Sequence, residues 1–135
     1  MHKSLVIALT AATAFGLVAC GKKEPSTLTF DQAAQELTKG ADSFKAYVKG
    51  LDNKLVKWTG TVTETRRWHE DDYAPAAGML VDMDGAPGPE LFVNIGVDNL
   101  ETAKTGAKVS FTARLMESID EKGKLLIKMK VEEFH

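Results

Sequence analysis

Two stretches in the polar part of the chain carry apolar residues at the spacing of an α-helix. The repeat falls on Phe30, Ala33, Ala34 and Leu37, and again on Phe44, Tyr47, Val48 and Leu51. Thr29 and Gln32 fit a capping box, in which each side chain bonds the other residue's backbone N–H, and Gly40 interrupts the first repeat. The sequence therefore predicts two short helices, each with one apolar face packed on a core.

From Lys54 onward the apolar period falls from about 3.6 residues to 2. The alternating segments occupy residues 56–63, 79–84, 91–95, 109–115 and 125–131. This alternation is typical of strands with one buried face and one solvated face. Trp58 has the same parity as Val56 and Val62, which predicts a core position for its indole ring. Gly60 lies in the first segment, where glycine permits sharp coiling.

The connections between these five segments favour one arrangement. Asp84 and Gly85, followed by two prolines, predict a loop between neighbouring strands, and residues 120–123 predict a hairpin turn. Between the third and fourth segments, Asp98 could cap a short helix through Ala103. Five strands with a helical link at this place are the plan of the OB-fold, a small Greek-key barrel. The predicted fold is all-β with an N-terminal helical segment.

Two short motifs resemble a known group of proteins. They are Lys-Trp-Thr-Gly-Thr-Val at residues 57–62 and Lys-Thr-Gly-Ala-Lys-Val at residues 104–109. Both resemble the small bacterial OB-fold proteins of the envelope, the tRNA-anticodon-like OB lipoproteins and their periplasmic relatives, over residues 50–134. Because the motifs are short and mostly structural, the resemblance implies the fold and says little about activity.

The first 21 residues have the pattern of an export signal. A short basic start, Met1 to Lys3, precedes an uncharged stretch from Leu5 to Val18, and Leu17-Val18-Ala19-Cys20-Gly21 follows. This end resembles the bacterial lipobox, which implies a diacylglyceryl group on the Cys20 sulfur and cleavage just before that residue. An apolar helix with a buried thiol, or an ordinary signal cut elsewhere, is the alternative. The stretch is too short for a comfortable membrane span.

The anchor defines the predicted organisation and location. Residues 1–19 are the cleaved signal, 20–28 a lipidated tether, 29–52 the helical segment and 53–135 the OB-fold barrel. Diacylglycerol and an N-acyl chain on Cys20 would hold the protein on a membrane of the cell envelope, with no other cofactor. Lys22 is not the aspartate that keeps many lipoproteins at the inner membrane. The resemblance therefore implies the periplasmic face of the outer membrane in a Gram-negative cell.

Charge and outer-face residues argue against nucleic acid as a partner. Removal of residues 1–19 takes away Lys3 of the 17 basic residues and none of the 19 acidic ones, which leaves a net charge of −3. The outer faces of the second and third strands carry Leu80, Asp82, Phe92 and Asn94. Single-strand binders need a basic groove with aromatic platforms, and only Phe92 could stack here.

The longest irregular segment, residues 66–75, is the predicted ligand-binding loop. It follows the first strand, where OB-folds often bind ligands, and it carries Trp68, His69 and Tyr73. Together with Phe92, these side chains suit a glycan, a peptide or a protein partner from the envelope. The alternative is a solvated loop whose Trp68 packs over the end of the barrel.

Metal binding and catalysis have weaker support. His69, Glu70, Asp71 and Asp72 offer hard ligands, but four consecutive residues cannot all converge on one small ion. Asp82 and Asp84 could act as acid and base, although carboxylates two residues apart on a strand are more typical of a solvated edge. The sequence contains no Ser-His-Asp grouping and no phosphate loop. It therefore predicts a non-enzymatic binding module, with a metal-dependent hydrolase or a structural spacer as alternatives.

Overall fold

The computed structural model describes residues 24–69 and 74–135, which form two short helices and five strands. The elements are α1 (Phe30–Leu37), α2 (Ala41–Gly50), β1 (Leu55–His69), β2 (Pro75–Asp82), β3 (Leu91–Ile95), β4 (Lys108–Glu121) and β5 (Lys124–Phe134). The predicted signal at residues 1–19 and the predicted lipid site at Cys20 lie outside the described residues. No helix among the described residues is both long and apolar enough to span a membrane.

The five predicted strands are confirmed, and they form one closed sheet. Its strands are hydrogen-bonded in the order β1-β2-β3-β5-β4, with β4 returning to β1. All pairs are antiparallel except β3 with β5, which run parallel. β1 pairs with β4 along its first half and with β2 along its second half, and a register shift between Val62 and Glu64 accompanies the change of partner.

The interior of the closed sheet is one apolar core. Its largest fully buried side chains on the strands are Val56, Val62, Met79, Val81, Leu91, Val93, Phe111, Ile127 and Met129. Trp58 belongs to this core with 6% of its surface exposed, as its parity predicts. Its indole N–H donates to the carbonyl oxygen of Leu28 at 2.9 Å, which satisfies the only polar atom that the ring buries.

The two predicted helices are also confirmed. Thr29 Oγ1 accepts from the backbone N–H of Gln32 at 3.2 Å, and Gln32 Oε1 accepts from the N–H of Thr29 at 3.0 Å, so the predicted capping box forms. Ala33 of α1 and Phe44 of α2 are fully buried in the same core as the strands. The edge of the Phe30 ring meets the Trp58 ring at 5.8 Å between centroids. The helical segment and the sheet therefore share one core.

Two local expectations are wrong. The predicted loop from Arg66 is largely strand, because β1 continues to His69 and pairs there with Pro75 of β2. The short helix predicted between β3 and β4 is present as a single 3₁₀ turn, Val97–Asn99, but Gly96 occupies its N-cap in place of Asp98 and makes no side-chain bond. Backbone hydrogen bonds between residues three apart, such as Asn99 N–H to Gly96 O at 2.9 Å, are those of a 3₁₀ helix, which has fewer residues per turn than an α-helix.

Candidate functional site

The β1–β2 hairpin places Trp68 against the outer face of the sheet. Its ring lies 5.9 Å from the ring of Phe92 on β3, at an interplanar angle of 40°. Gly78 on β2 makes room for this contact. A Cβ at Gly78 would lie 2.9 Å from Phe92 Cζ and 3.2 Å from Trp68 Cζ3. The packing of Trp68 therefore depends on a glycine beneath it.

A second apolar cluster lies on this outer face, separate from the core. Leu80, Phe92 and Leu126 are buried in it, and Trp68 and Ile119 pack against them. Phe92, one of the predicted ligand-site residues, has only 8% of its surface exposed. The physical reason is the length of β1, which extends far enough to bring Trp68 over the strand that carries Phe92.

An ion pair joins the ends of the two long hairpins. The Arg66 guanidinium on β1 donates to both carboxylate oxygens of Glu121 at the end of β4, at 3.1 Å for Nη1, and its Nε donates to Glu64 at 2.6 Å. The hydrogen bonds from Arg66 lower the pKa of Glu121, and those to the two carboxylates raise the pKa of Arg66. We call Arg66, Glu121 and the Trp68–Phe92 ring pair the tip contact.

The structure brings together only part of the predicted ligand site. Trp68 is half-buried with part of its ring exposed, and His69 is exposed at the end of β1. Tyr73 and the three acidic residues of the predicted metal cluster, Glu70, Asp71 and Asp72, lie outside the described residues. The metal-site and ligand roles of these residues stay predictions.

Three carboxylates converge where β2 leads into β3. Asp82, Asp84 and Glu90 bring ligand oxygens within 4.8 Å of one another, and Glu90 lies outside the acid–base pair expected from the sequence. The Glu90 oxygens already have partners within the protein. Glu90 Oε1 accepts from Met83 N–H at 2.7 Å, and Glu90 Oε2 pairs with Lys124 Nζ at 3.1 Å. The cluster orders the β2–β3 loop and ties it to β5.

A groove that the sequence did not predict lies beside the N-terminal segment. Its volume is about 720 Å³, and we call it the tether groove. Its lining comprises Glu24, Pro25, Asn53, Leu55, Lys57, Thr112, Arg114, Glu132, Glu133 and His135. Four separate stretches of chain contribute these residues, so only the folded sheet could reveal the groove.

Comparison with known proteins finds structural similarity at a low level of sequence identity. No protein family model matches the chain, and no curated protein matches it. A solved structure from Klebsiella pneumoniae, described as a "putative nucleic acid-binding lipoprotein", is similar to it with 17% sequence identity and a TM-score of 0.49. The alignment covers 81% of this chain and 92% of that one. The words "nucleic acid-binding" in that description apply to the Klebsiella protein.

Proposed function

We propose that this chain is a lipid-anchored protein of the cell envelope, with an OB-fold that binds an envelope ligand and catalyses no reaction. The sheet supports the fold assignment. Five strands closed in the order β1-β2-β3-β5-β4, with a parallel β3–β5 pair, match a small Greek-key barrel. The tRNA-anticodon-like envelope proteins that the sequence resembles have this fold.

The anchor rests on the first 21 residues. The lipobox around Cys20 supports two acyl chains on its sulfur and a third on its amine after cleavage. One acyl chain holds a protein only marginally on a bilayer, whereas two or more hold it stably. In a Gram-negative cell, the proposed location is the periplasmic face of the outer membrane.

The observation that carries the binding proposal is the position of Trp68. Its ring is fixed by Phe92 and Gly78 on one side, and part of its surface remains exposed next to His69. A rigid aromatic ring with an exposed part offers apolar area to a sugar or peptide at little cost in conformational entropy. The proposed ligand is a glycan, a peptide or a protein partner, and Tyr73 is retained from the sequence as a second proposed contact.

A fluorescence titration tests this site. The chain contains two tryptophans, and Trp58 is buried, so a Trp58→Phe background makes Trp68 the only indole reporter. Cell-wall glycan and peptide fragments are titrated into the mature lipidated protein in detergent. We expect a saturable change in the emission of Trp68.

Affinity measured by calorimetry provides the control. Replacement of both Trp68 and Tyr73 by alanine should weaken binding at least about tenfold, as loss of a central aromatic contact does at other interfaces. The Trp58→Phe variant should bind as the wild type does. Equal affinity of the double variant and the wild type would refute the assigned site.

The anchor has its own test. Mass spectrometry of the native protein should show a triacylated Cys20 as the first residue, and Cys20→Ser should prevent that processing. An unmodified N-terminal peptide on the native protein would refute the anchor and leave the Trp68 site untouched.

A further inference from the structure

We infer that the tether groove faces the membrane and holds the headgroup of a zwitterionic phospholipid. In this arrangement the phosphate lies toward Lys57 and Arg114, and the ammonium group lies toward Glu24 and Glu132. The inference rests on the proposed lipid anchor, because the anchor brings this part of the surface to the bilayer.

The position of the groove follows from the N-terminal segment. The backbone N–H and hydroxyl of Ser26 both donate to the carbonyl oxygen of Leu55, at 2.7 and 2.9 Å, which fixes the entering chain against the start of β1. Glu24 and Pro25, just before this attachment, line the groove. Cys20 precedes Glu24 by four residues, which span at most about 14 Å when fully extended. A lipid on Cys20 therefore keeps the groove close to the headgroups.

Two cations in the groove are available to a phosphate. Lys57 on β1 and Arg114 on β4 point to the same outer face, since Lys57 pairs in register with Thr112, two residues before Arg114. Within residues 24–69 and 74–135, neither side chain forms an ion pair or a hydrogen bond. An arginine and a lysine side by side are a strong combination for phosphate oxygens.

A buried threonine and the histidine bonded to it form one side of the groove. Thr112 is 7% exposed, and its hydroxyl lies 2.7 Å from Nε2 of His135. The backbone N–H of His135 donates to the carbonyl oxygen of Ser110 at 2.9 Å, and its Nδ1 lies 3.7 Å from Glu133. The imidazole is therefore held in place from two sides, and it shapes one wall of the groove.

The balance of charge selects the kind of headgroup. The lining carries two permanent cations against three carboxylates, those of Glu24, Glu132 and Glu133. A headgroup with a phosphate alone would meet this acidic excess at close range, where like charges repel. A headgroup that adds an ammonium group satisfies both signs. Phosphatidylethanolamine fits this pattern, and phosphatidylglycerol does not.

The orientation of the anchored protein tests the placement. Cys20 is the only cysteine and its sulfur is lipidated, so an introduced cysteine is a unique labelling site. Lys130→Cys lies opposite Arg114 on β5, and Arg67→Cys lies near the far end of β1 and is the matched control. Each variant is labelled with a fluorophore and reconstituted in vesicles that carry a headgroup-attached quencher. We expect severalfold stronger quenching at residue 130 than at residue 67.

Lipid composition then tests the headgroup. Vesicles are made from phosphatidylethanolamine and phosphatidylglycerol in varied proportions, without another zwitterionic lipid, and the ratio of quenching at the two sites is measured. We expect the ratio to rise with phosphatidylethanolamine and to fall with phosphatidylglycerol. Replacement of both Lys57 and Arg114 by alanine should abolish the rise, whereas Arg67→Ala should leave the quenching of a label at residue 130 unchanged in every lipid mixture.

The outcomes separate the headgroup proposal from the anchor. Equal quenching at the two sites, with a triacylated Cys20 in the mass spectrum, would overturn the membrane-facing groove and retain the anchor. A ratio highest in phosphatidylglycerol would overturn the zwitterionic headgroup. Inorganic phosphate and glycerophosphoethanolamine are added as competitors. If only inorganic phosphate abolishes the rise of the quenching ratio with phosphatidylethanolamine, the groove is a site for free phosphate, and the proposal of a zwitterionic headgroup is overturned. An unmodified Cys20 would overturn the anchor itself.

Discussion

Two glycines decide how closely the strands approach one another. A Cβ at Gly60 would lie 2.5 Å from Val81 Cγ1, 2.7 Å from Met83 Sδ and 2.9 Å from the backbone oxygen of Asp82. The last of these atoms cannot rotate away. Gly78 has the same role beneath Trp68, where two aromatic rings take the place of its side chain.

Replacement of Gly60 by alanine should therefore destabilise the protein. We expect a loss of about 1–3 kcal/mol in the free energy of unfolding, which is typical of overpacking in a core. Urea denaturation measures it. Gly50→Ala is the matched control, because nothing lies within 4 Å of its added Cβ and the residue ends a helix. That control should be neutral or stabilising by up to about 1 kcal/mol, and equal effects of both changes would contradict the argument.

At the scale of the elements, the interior of the sheet was predictable and its outer face was not. Residues such as Val56 and Met129 alternate with polar neighbours because the two faces of a strand meet different surroundings. The end of β1 does not alternate in this way. Trp68 packs against Phe92 and Arg66 is paired with Glu121, and these partners are distant in the sequence. For the same reason, the burial of Phe92 could not be predicted, and the loop predicted from residue 66 was wrong.

The tip contact should loosen in acid. The pKa of Glu121 in the folded protein lies below its ordinary value of 4.5, because Arg66 donates hydrogen bonds to the charged form. The contribution of this pair is therefore complete above pH 4.5 and disappears as the pH falls through the lower folded value. The indole signal of Trp68 in NMR spectra should shift in that range.

Glu121→Gln removes the titrating group and should give the acid-like position of the Trp68 signal already at neutral pH. Glu117→Gln is the control, since Glu117 reaches Lys128 only at 3.8 Å on the same hairpin. An unchanged acid shift in Glu121→Gln would mean that another carboxylate controls the position of Trp68.

At the scale of the whole molecule, the helices and the sheet should unfold together. Phe44 of α2 is fully buried, and it belongs to one apolar cluster with residues of all five strands. Phe44→Ala should cost about 3–5 kcal/mol, a large part of the stability of a small domain. Helical circular dichroism and Trp58 emission should follow the same urea transition in both proteins. Separate transitions would show two independent units.

The absence of nucleic acid among the partners is also a prediction for the whole molecule. Without residues 1–19 the chain has a net charge of −3, and Phe92 on β3 is buried. We expect no change in the fluorescence anisotropy of a labelled single-stranded oligonucleotide at physiological salt. Binding that weakens steeply as salt is added would contradict this, because that slope measures released counterions.

The parallel pairing of β3 with β5 has a consequence for biogenesis. β5 lies between β3 and β4 in space but follows both in the chain, so neither neighbour has its final partner until the last strand is made. A chain delivered across the inner membrane N-terminus first would therefore wait with two unprotected strand edges, which invite intermolecular pairing. In the proposed lipid-anchored protein, early attachment to lipid would keep such nascent chains apart during this interval.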